Sequence, residues 1–302
     1  MSEYKTHTFS RFLGLNNIDP TSRSVTPTEA TYLSTAENVN IDKTFYVSRR
    51  DGFVLSKSGE YKYSWTSDGQ QLYGIHDSNL VMLDKNLTET TLISGVGDYP
   101  ASFVQIADVV YFTNSIIIRS IEDGVVYTPS NPNMVNKAVI PPGNMLAVFN
   151  GRLVVIDKDT IYVSDGGAAM DRYDTESGVY PFPSDITMII PLEDGMFVAS
   201  DNINFLSGTA PEEWELIYKD DAIAIKETDA SARNIIVKVG DGIEVFSIVY
   251  VFSTNKGICV CGNGGKFYNL TELIYNMPSA LVGTSVIRKF GGSYQYIACL
   301  QA

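Results

Sequence analysis

Residues 72–83 have the sequence LYGIHDSNLVML: a short apolar segment, a polar turn and a second short apolar segment. This pattern is typical of a β-hairpin. It recurs four times, and the leading strands are spaced by roughly 40 residues, the blade length of propeller folds: Val109–Thr113, Leu153–Ile156, Met196–Ser200 and Ile248–Phe252. Because a hairpin cannot bury its own apolar faces, the repeat predicts an all-β, β-propeller-like array of short antiparallel hairpins and sheets.

The N-terminal residues lack this repeat and contain clusters of Pro, Thr, Ser and Asn. We therefore predict an irregular N-terminal docking arm over residues 1–55, which contributes a closing strand, and a β-propeller-like body over 56–302. Ser285–Phe290 and Ser293–Leu300 predict a C-terminal hairpin. An N-terminal strand is expected to pair with this hairpin, because closure leaves a ring with only short, protected edges.

The chain of 302 residues has a formal net charge of −13 and a sequence pI of about 4.6. Such a surface repels phosphate backbones, so sequence-specific binding of nucleic acid is not expected. An acidic surface would suit a channel that DNA passes without sticking. Solubility alone is the simpler reason for the charge and the one that the composition favours.

The sequence predicts no catalytic, metal or cofactor site. His76 lies in a hairpin turn beside Asp77 without a recognisable nucleophile, and we interpret it as a solvated turn residue. Asp157 and Asp159 lack the rest of a calcium loop and are assigned to a plain turn. Gly262–Lys266 is followed by strand-like residues instead of the Ser or Thr and helix of a phosphate-binding loop.

The three cysteines, Cys259, Cys261 and Cys299, all lie in apolar strand sequence. Cys259 and Cys261 alternate with Val260 and so share one face of a strand, but no further metal ligands lie nearby. We predict three buried free thiols, which fits assembly in a reducing host cytoplasm. The N-terminal residues lack the apolar segment of a secretory signal, and no membrane association is expected.

Two polar segments are candidates for contacts with partners: Pro129–Pro142, and the Asp-rich Ala168–Gly178, which we predict to be a surface loop. Arg49 and Arg50 form the only strong basic spot in the sequence. They are expected either to bind a partner carboxylate or to be the solvated end of a strand.

Several separated motifs, in a fixed order, resemble the bacteriophage tail hub, nozzle and packaged-DNA stabilisation proteins. The N-terminal part of this pattern is FLGLNNIDP at Phe12–Pro20, AENVNID at Ala36–Asp42 and RRDGF at Arg49–Phe53. Further motifs are FPSDIT at Phe182–Thr187, and Gly195–Gly208 followed by PEEW at Pro211–Trp214. The chain is shorter than most hub proteins of short-tailed phages.

The resemblance implies a propeller-like body in a ring of about six identical copies, below the portal and adaptor and around a lumen that DNA traverses. It implies a structural virion protein, not an enzyme, with other tail proteins as partners. Asn16, Asn17, Asp19, Arg49 and Arg50 are the candidate interface residues of the docking arm.

Two other hypotheses about the function of such a propeller stay open. A carbohydrate-binding or glycoside-hydrolysing propeller would act as a receptor-binding module, with two carboxylates contributed by different blades. A scaffold propeller of the host is a third possibility, which rests on fold analogy alone.

Overall fold

The structure is a computed structural model that describes residues 12–15, 31–33, 39–41, 47–49, 55–67, 69–130, 133–167, 169–239, 242–272, 275–290 and 293–301. These residues contain β-strands, one short 3-10 turn at Pro211–Glu213 and no α-helix. High Val, Ile and aromatic content favours strands, and the all-β prediction is confirmed.

The chain divides into two compact units. The middle unit is Leu55–Asp221, and the terminal unit combines Met1–Val54 with Ala222–Ala302. The first boundary lies beside the one predicted at residues 55 and 56. The sequence pattern gives no sign of the second boundary, after Asp221. The role of the N-terminal residues as a docking arm stays a prediction.

Three sheets of the middle unit have four antiparallel strands, each paired with the next in sequence. The first sheet comprises β5 (Lys62–Trp65), β6 (Leu72–His76), β7 (Asn79–Leu83) and β8 (Glu89–Ile93). The second comprises β9 (Ser102–Ile106), β10 (Val109–Thr113), β11 (Ile118–Glu122) and β12 (Val125–Tyr127). The fourth comprises β19 (Met188–Leu192), β20 (Gly195–Ala199), β21 (Ile203–Ser207) and β22 (Glu215–Asp220).

The third sheet of the middle unit branches. It contains β13 (Lys137–Val139), β14 (Met145–Phe149), β15 (Arg152–Asp157), β16 (Thr160–Gly166), β17 (Ala169–Asp174) and β18 (Val179–Pro181). The first half of β16 pairs with β18, and its second half pairs with β17. The segment predicted to be a surface loop, Ala168–Gly178, is therefore mostly the strand β17, which the ladder to β16 and β13 holds in place.

The described strands of the terminal unit form two N-terminal pairs, one four-stranded sheet and one hairpin. The N-terminal pairs join β1 (Phe12–Leu15) to β2 (Thr31–Leu33), and β3 (Val39–Ile41) to β4 (Val47–Arg49). The sheet comprises β23 (Ala230–Val239), β24 (Gly242–Thr254), β25 (Gly257–Gly262) and β26 (Lys266–Asn269). The hairpin, β27 (Val282–Phe290) and β28 (Ser293–Gln301), confirms the predicted one.

Within the described part of the chain, the expected pairing between an N-terminal strand and the C-terminal hairpin is not present. β1 pairs with β2, β3 pairs with β4, and β27 and β28 pair with each other.

The five recurring hairpins are confirmed, and their turns have the backbone that their residues favour. Asp77 and Ser78 have φ angles of 48° and 62°, and His76 pairs with Asn79 across the turn. Two successive left-handed residues define the turn type that matches the twist of paired strands. Asp123 and Gly124 repeat the arrangement, with φ angles of 49° and 76°.

Successive sheets of the middle unit pack face to face. Leu153 and Val155 of β15 lie in a core shared with the second sheet, whereas Val154 and Ile156 lie in a core shared with the fourth. Because side chains alternate along a strand, one continuous apolar strand supplies two cores. A third core joins the first and second sheets around the buried Phe112. Stacked small sheets of this kind are the packing that the repeat predicts.

Candidate functional site

Of the five predicted interface residues, only Arg49 lies in the described part of the chain. It ends β4 and is exposed to solvent. Asn16, Asn17, Asp19 and Arg50 lie outside the described residues. The docking role of all five stays a prediction.

A cleft of about 320 Å³ lies where β16 diverges between β17 and β18. Val163 and Asp165 of β16 line it, together with Asp174 at the end of β17 and Lys137 on β13. Gly178 follows at the turn into β18, where its N–H donates to the Asp174 carbonyl and its own carbonyl accepts from the Val163 N–H. The fork of the sheet thus creates the cleft.

Ion pairs fill one wall of this cleft. Lys137 Nζ donates to Asp165 Oδ1 at 2.8 Å and to Asp174 Oδ2 at 3.1 Å, and Arg172 Nε donates to Asp165 Oδ2 at 3.1 Å. Backbone N–H groups of Ser177 and Glu176, with Lys137, lower the pKa of Asp174 to about 2. The hydrogen bond to Asp165 raises the pKa of Lys137.

The lowered pKa of Asp174 means that its ionised form is favoured in the cleft. The charged and polar groups of the cluster can bind polar groups of a ligand. The sequence does not reveal the cluster, because its members lie on three separate strands, β13, β16 and β17. Only the pairing of these strands brings Lys137 to the aspartates.

His76 is not the solvated turn residue that the sequence suggests. Its side chain is mostly buried, its Nδ1 lies 2.9 Å from Glu89 Oε2, and its ring stacks on Tyr61 with centroids 4.4 Å apart. Tyr61 donates its hydroxyl to the same Glu89 oxygen at 2.5 Å, which raises the pKa of Tyr61 to about 12. These contacts connect both outer strands of the first sheet to β6, because Tyr61 directly precedes β5 and Glu89 begins β8.

The thiols divide into two kinds. Cys259 and Cys261 are completely buried on β25, as predicted, and burial raises the pKa of Cys261 well above its ordinary value. Cys299 is exposed on β28, so the prediction of burial is wrong for this residue; among the described strands β28 pairs with β27 alone. No group of His, Cys, Asp or Glu among the described residues is arranged to hold a metal ion.

An exposed apolar surface lies at the far end of the β23–β24 hairpin. Ile236, Ile243 and Val245 expose 68 %, 71 % and 68 % of their area. Ile236 pairs directly with Val245, and Ile243 is two residues away on the same strand, so the three side chains share one face. We call these three residues the hairpin patch.

The negative charge of the protein is concentrated in one unit. The middle unit has nine Lys and Arg residues against twenty-four Asp and Glu, a net charge of −15. The terminal unit has thirteen against eleven, a net charge of +2. The overall net charge of −13 does not show this unequal distribution, which becomes visible only when the boundaries of the two units are known.

Comparison with known proteins identifies no family: no family model matches the chain, and no curated protein matches it. Solved structures do match. BBS1N, solved in complex with ARL6DN, has a TM-score of 0.52 at 12 % identity, over 86 % of this chain and 80 % of that one. A streptogramin B lyase has a TM-score of 0.49 at 14 % identity, over 85 % and 82 % of the two chains.

At these identities the structural likeness concerns the fold alone. Together with the stacked four-stranded sheets, it defines a β-propeller-like protein. The neighbouring folds serve varied functions, so function has to be argued from the surfaces of this chain. The described residues include no helix of the length and apolarity that crossing a membrane requires.

Proposed function

We propose that this chain is a structural virion protein of a bacteriophage tail, a hub- or nozzle-like ring. The ring would join the portal and adaptor to the distal tail and surround the DNA exit channel. Its function would reside in contacts between copies and with neighbouring rings. The ordered motifs between Phe12 and Trp214 support this assignment.

The hairpin patch is the observation that carries the proposal. Its three aliphatic side chains are about two-thirds exposed and adjoin one another. Contiguous apolar patches on soluble proteins mark sites of interaction. A protein that works by assembly needs such a surface.

The charge of the middle unit adds support from electrostatics. A net charge of −15 over Leu55–Asp221 repels the phosphate backbone of DNA. Walls of this sign would let DNA pass without adhering to them.

Removal of the gene tests the proposal. A stop codon early in the gene should yield particles with incomplete tails that lose packaged DNA, as seen by electron microscopy. Supplying the chain from a plasmid should restore normal particles. Portal, terminase and adaptor genes are expected beside the gene. Normal, infectious particles without the chain would contradict the proposal.

The cleft at the fork of the third sheet favours a second candidate, a glycan-binding propeller. Asp165 and Asp174 both accept hydrogen bonds from Lys137 Nζ, and Ser177 and Glu212 add polar groups to the lining. Binding is better supported than hydrolysis, because both aspartates are paired with the same Lys137 ammonium.

A glycan array with the purified chain tests this second candidate. Specific binding should be lost in Lys137→Met, which removes the ammonium that organises both aspartates, and kept in the control Lys158→Met on a hairpin turn. An array on which no glycan is bound would contradict it.

A further inference from the structure

One face of β24 changes from buried to exposed along its length. Val249 and Val251 are buried within the core of the terminal unit. Val245 and Ile243 continue the same face, since side chains two residues apart point the same way, yet they are mostly exposed. The apolar face therefore extends beyond the part that the described residues cover.

The pairing of β24 with β25 explains where the buried part of this face ends. β25 pairs with β24 only from Val249 to Thr254, so residues 242–248 extend beyond it. β23 is an edge strand that pairs with β24 alone among the described strands. Among the described strands, neither edge of the extension is therefore paired, and an unpaired hairpin with an apolar face is a ready template for another chain.

The opposite face of β24, over residues 242–248, is fixed by contacts with the rest of the sheet. Phe246 is buried, and Lys266 Nζ lies 5.8 Å from the centre of its ring. The same Lys266 donates to Glu244 Oε2 at 2.5 Å. A hairpin fixed on one face presents the hairpin patch in one orientation, which lowers the entropy lost on binding.

Charge points to the occupant. The patch belongs to the terminal unit, whose net charge is +2, so the best electrostatic partner is an acidic surface. The middle unit, with its net charge of −15, is such a surface, and any other copy of this chain carries it.

The middle unit also has an apolar strip within acidic surroundings. Among the described strands β22 is the edge strand of the fourth sheet, and Leu216 and Tyr218, two residues apart and so on one face of it, are 41 % and 60 % exposed. Glu212, Glu213 and Glu215 directly precede them. An apolar strip with an acidic border matches an apolar patch on a less acidic unit.

We propose that the hairpin patch docks on the β22 strip of a second copy of this chain. The two surfaces differ, so the contact is heterologous and repeats from copy to copy, as a ring requires. The inference rests on the proposed function for its ring, and adds to it the surfaces that form the joint.

Two variants test the two sides of the contact. Ile236→Thr with Val245→Thr removes the patch, and Leu216→Thr with Tyr218→Thr removes the strip. All four side chains are exposed, so the fold should be kept, which melting curves check. The control is Val135→Thr, whose side chain is 90 % exposed in a loop of the middle unit.

Mass photometry and sedimentation then give the readout. Wild type and control should assemble, and each double variant alone should require at least about tenfold more protein for assembly, a loss of about 1.4 kcal/mol. An equal mixture of the two variants should form dimers and stop there, because each copy retains one half of the contact.

The failures are distinguishable. A wild type that assembles, with variants that assemble equally well, would overturn the joint and leave the ring in place. A wild type that stays monomeric would overturn the joint and the self-association in the proposed function. Assembly that is as strong at 0.5 M as at 0.05 M salt would overturn the argument from charge, since salt screens such attraction.

Discussion

Glu89 receives two partners from distant parts of the first sheet, Tyr61 and His76. The sequence around His76 does not predict its contact with Glu89, because the acidic residue adjacent to it in sequence is Asp77. The strand pairing of β6, β7 and β8 brings Glu89 to His76 across thirteen residues. At the scale of single residues the sequence therefore predicts turns, whose causes are local, and misses networks, whose causes are not.

The pH dependence of stability tests this network. The hydrogen bond from Tyr61 lowers the pKa of Glu89. A carboxylate with a lowered pKa stabilises the fold above its ordinary pKa, and this contribution is lost as the pH falls through the lowered value. At pH 7, Glu89→Gln should lower the melting temperature by roughly 2–4 °C, for about 1 kcal/mol of lost hydrogen bonding.

The same comparison at low pH supplies the check. The difference in melting temperature between Glu89→Gln and wild type should narrow at pH 3, below the ordinary pKa of a glutamate, because the unfolded wild-type chain then takes up a proton and the stabilisation by ionised Glu89 shrinks. Glu60→Gln is the matched control, since Glu60 is exposed and lies 3.6 Å from Lys62. A gap that stays constant from pH 7 to pH 3 would show that ionised Glu89 does not stabilise the fold.

Gly178 has no room for a side chain. A Cβ there would lie 2.7 Å from the Asp174 carbonyl oxygen and 3.0 Å from that of Val163. Gly178→Ala should destabilise the chain by about 1–3 kcal/mol, as overpacking does, measured by chemical denaturation. Ser177→Ala is the control, since it adds no atom. Equal stability of the two variants would contradict the close packing at the fork.

Elements are the scale at which the sequence is most informative. The hairpin repeat has a local cause, namely apolar strands joined by turn residues, and all five hairpins were predictable. The fork of β16 was not, because the Asp-rich composition of Ala168–Gly178 is typical of loops. The pairing of β17 with β13 and β16 depends on contacts between separate strands, which composition does not reveal.

Phe112 tests the packing between neighbouring sheets. It is fully buried, and its ring centre lies 5.2 Å from that of Phe103 on the paired strand β9, in a core that includes Tyr73 of the first sheet. Phe112→Ala should cost about 3–5 kcal/mol, measured by chemical denaturation. Ile116→Ala, at an exposed turn position, should cost far less. Similar losses would argue against a core between the sheets.

For the whole molecule, the sequence predicts the class of fold but not its division into units. The overall charge is visible in the composition, whereas its separation into −15 and +2 depends on a boundary after Asp221 that no composition shift marks. The surfaces of the proposed contact between copies are likewise hidden, because the sequence does not show that the apolar residues of β23 and β24 extend beyond β25.

Deletion of residues 1–54 tests the composition of the terminal unit. These residues share that unit with Ala222–Ala302, so their removal should expose part of it and lower the melting temperature sharply. Differential scanning calorimetry of the full and shortened chains measures the change. An unchanged melt would show that the N-terminal residues do not stabilise the terminal unit.

We propose that this propeller-like chain acts by assembling copies of itself into a ring. Negative-stain electron microscopy of the purified full-length chain, with masses from mass photometry, measures this directly. We expect closed rings of one size, whose mass is a whole multiple of 33.2 kDa. Single particles of 33.2 kDa at every concentration, or open filaments, would contradict it.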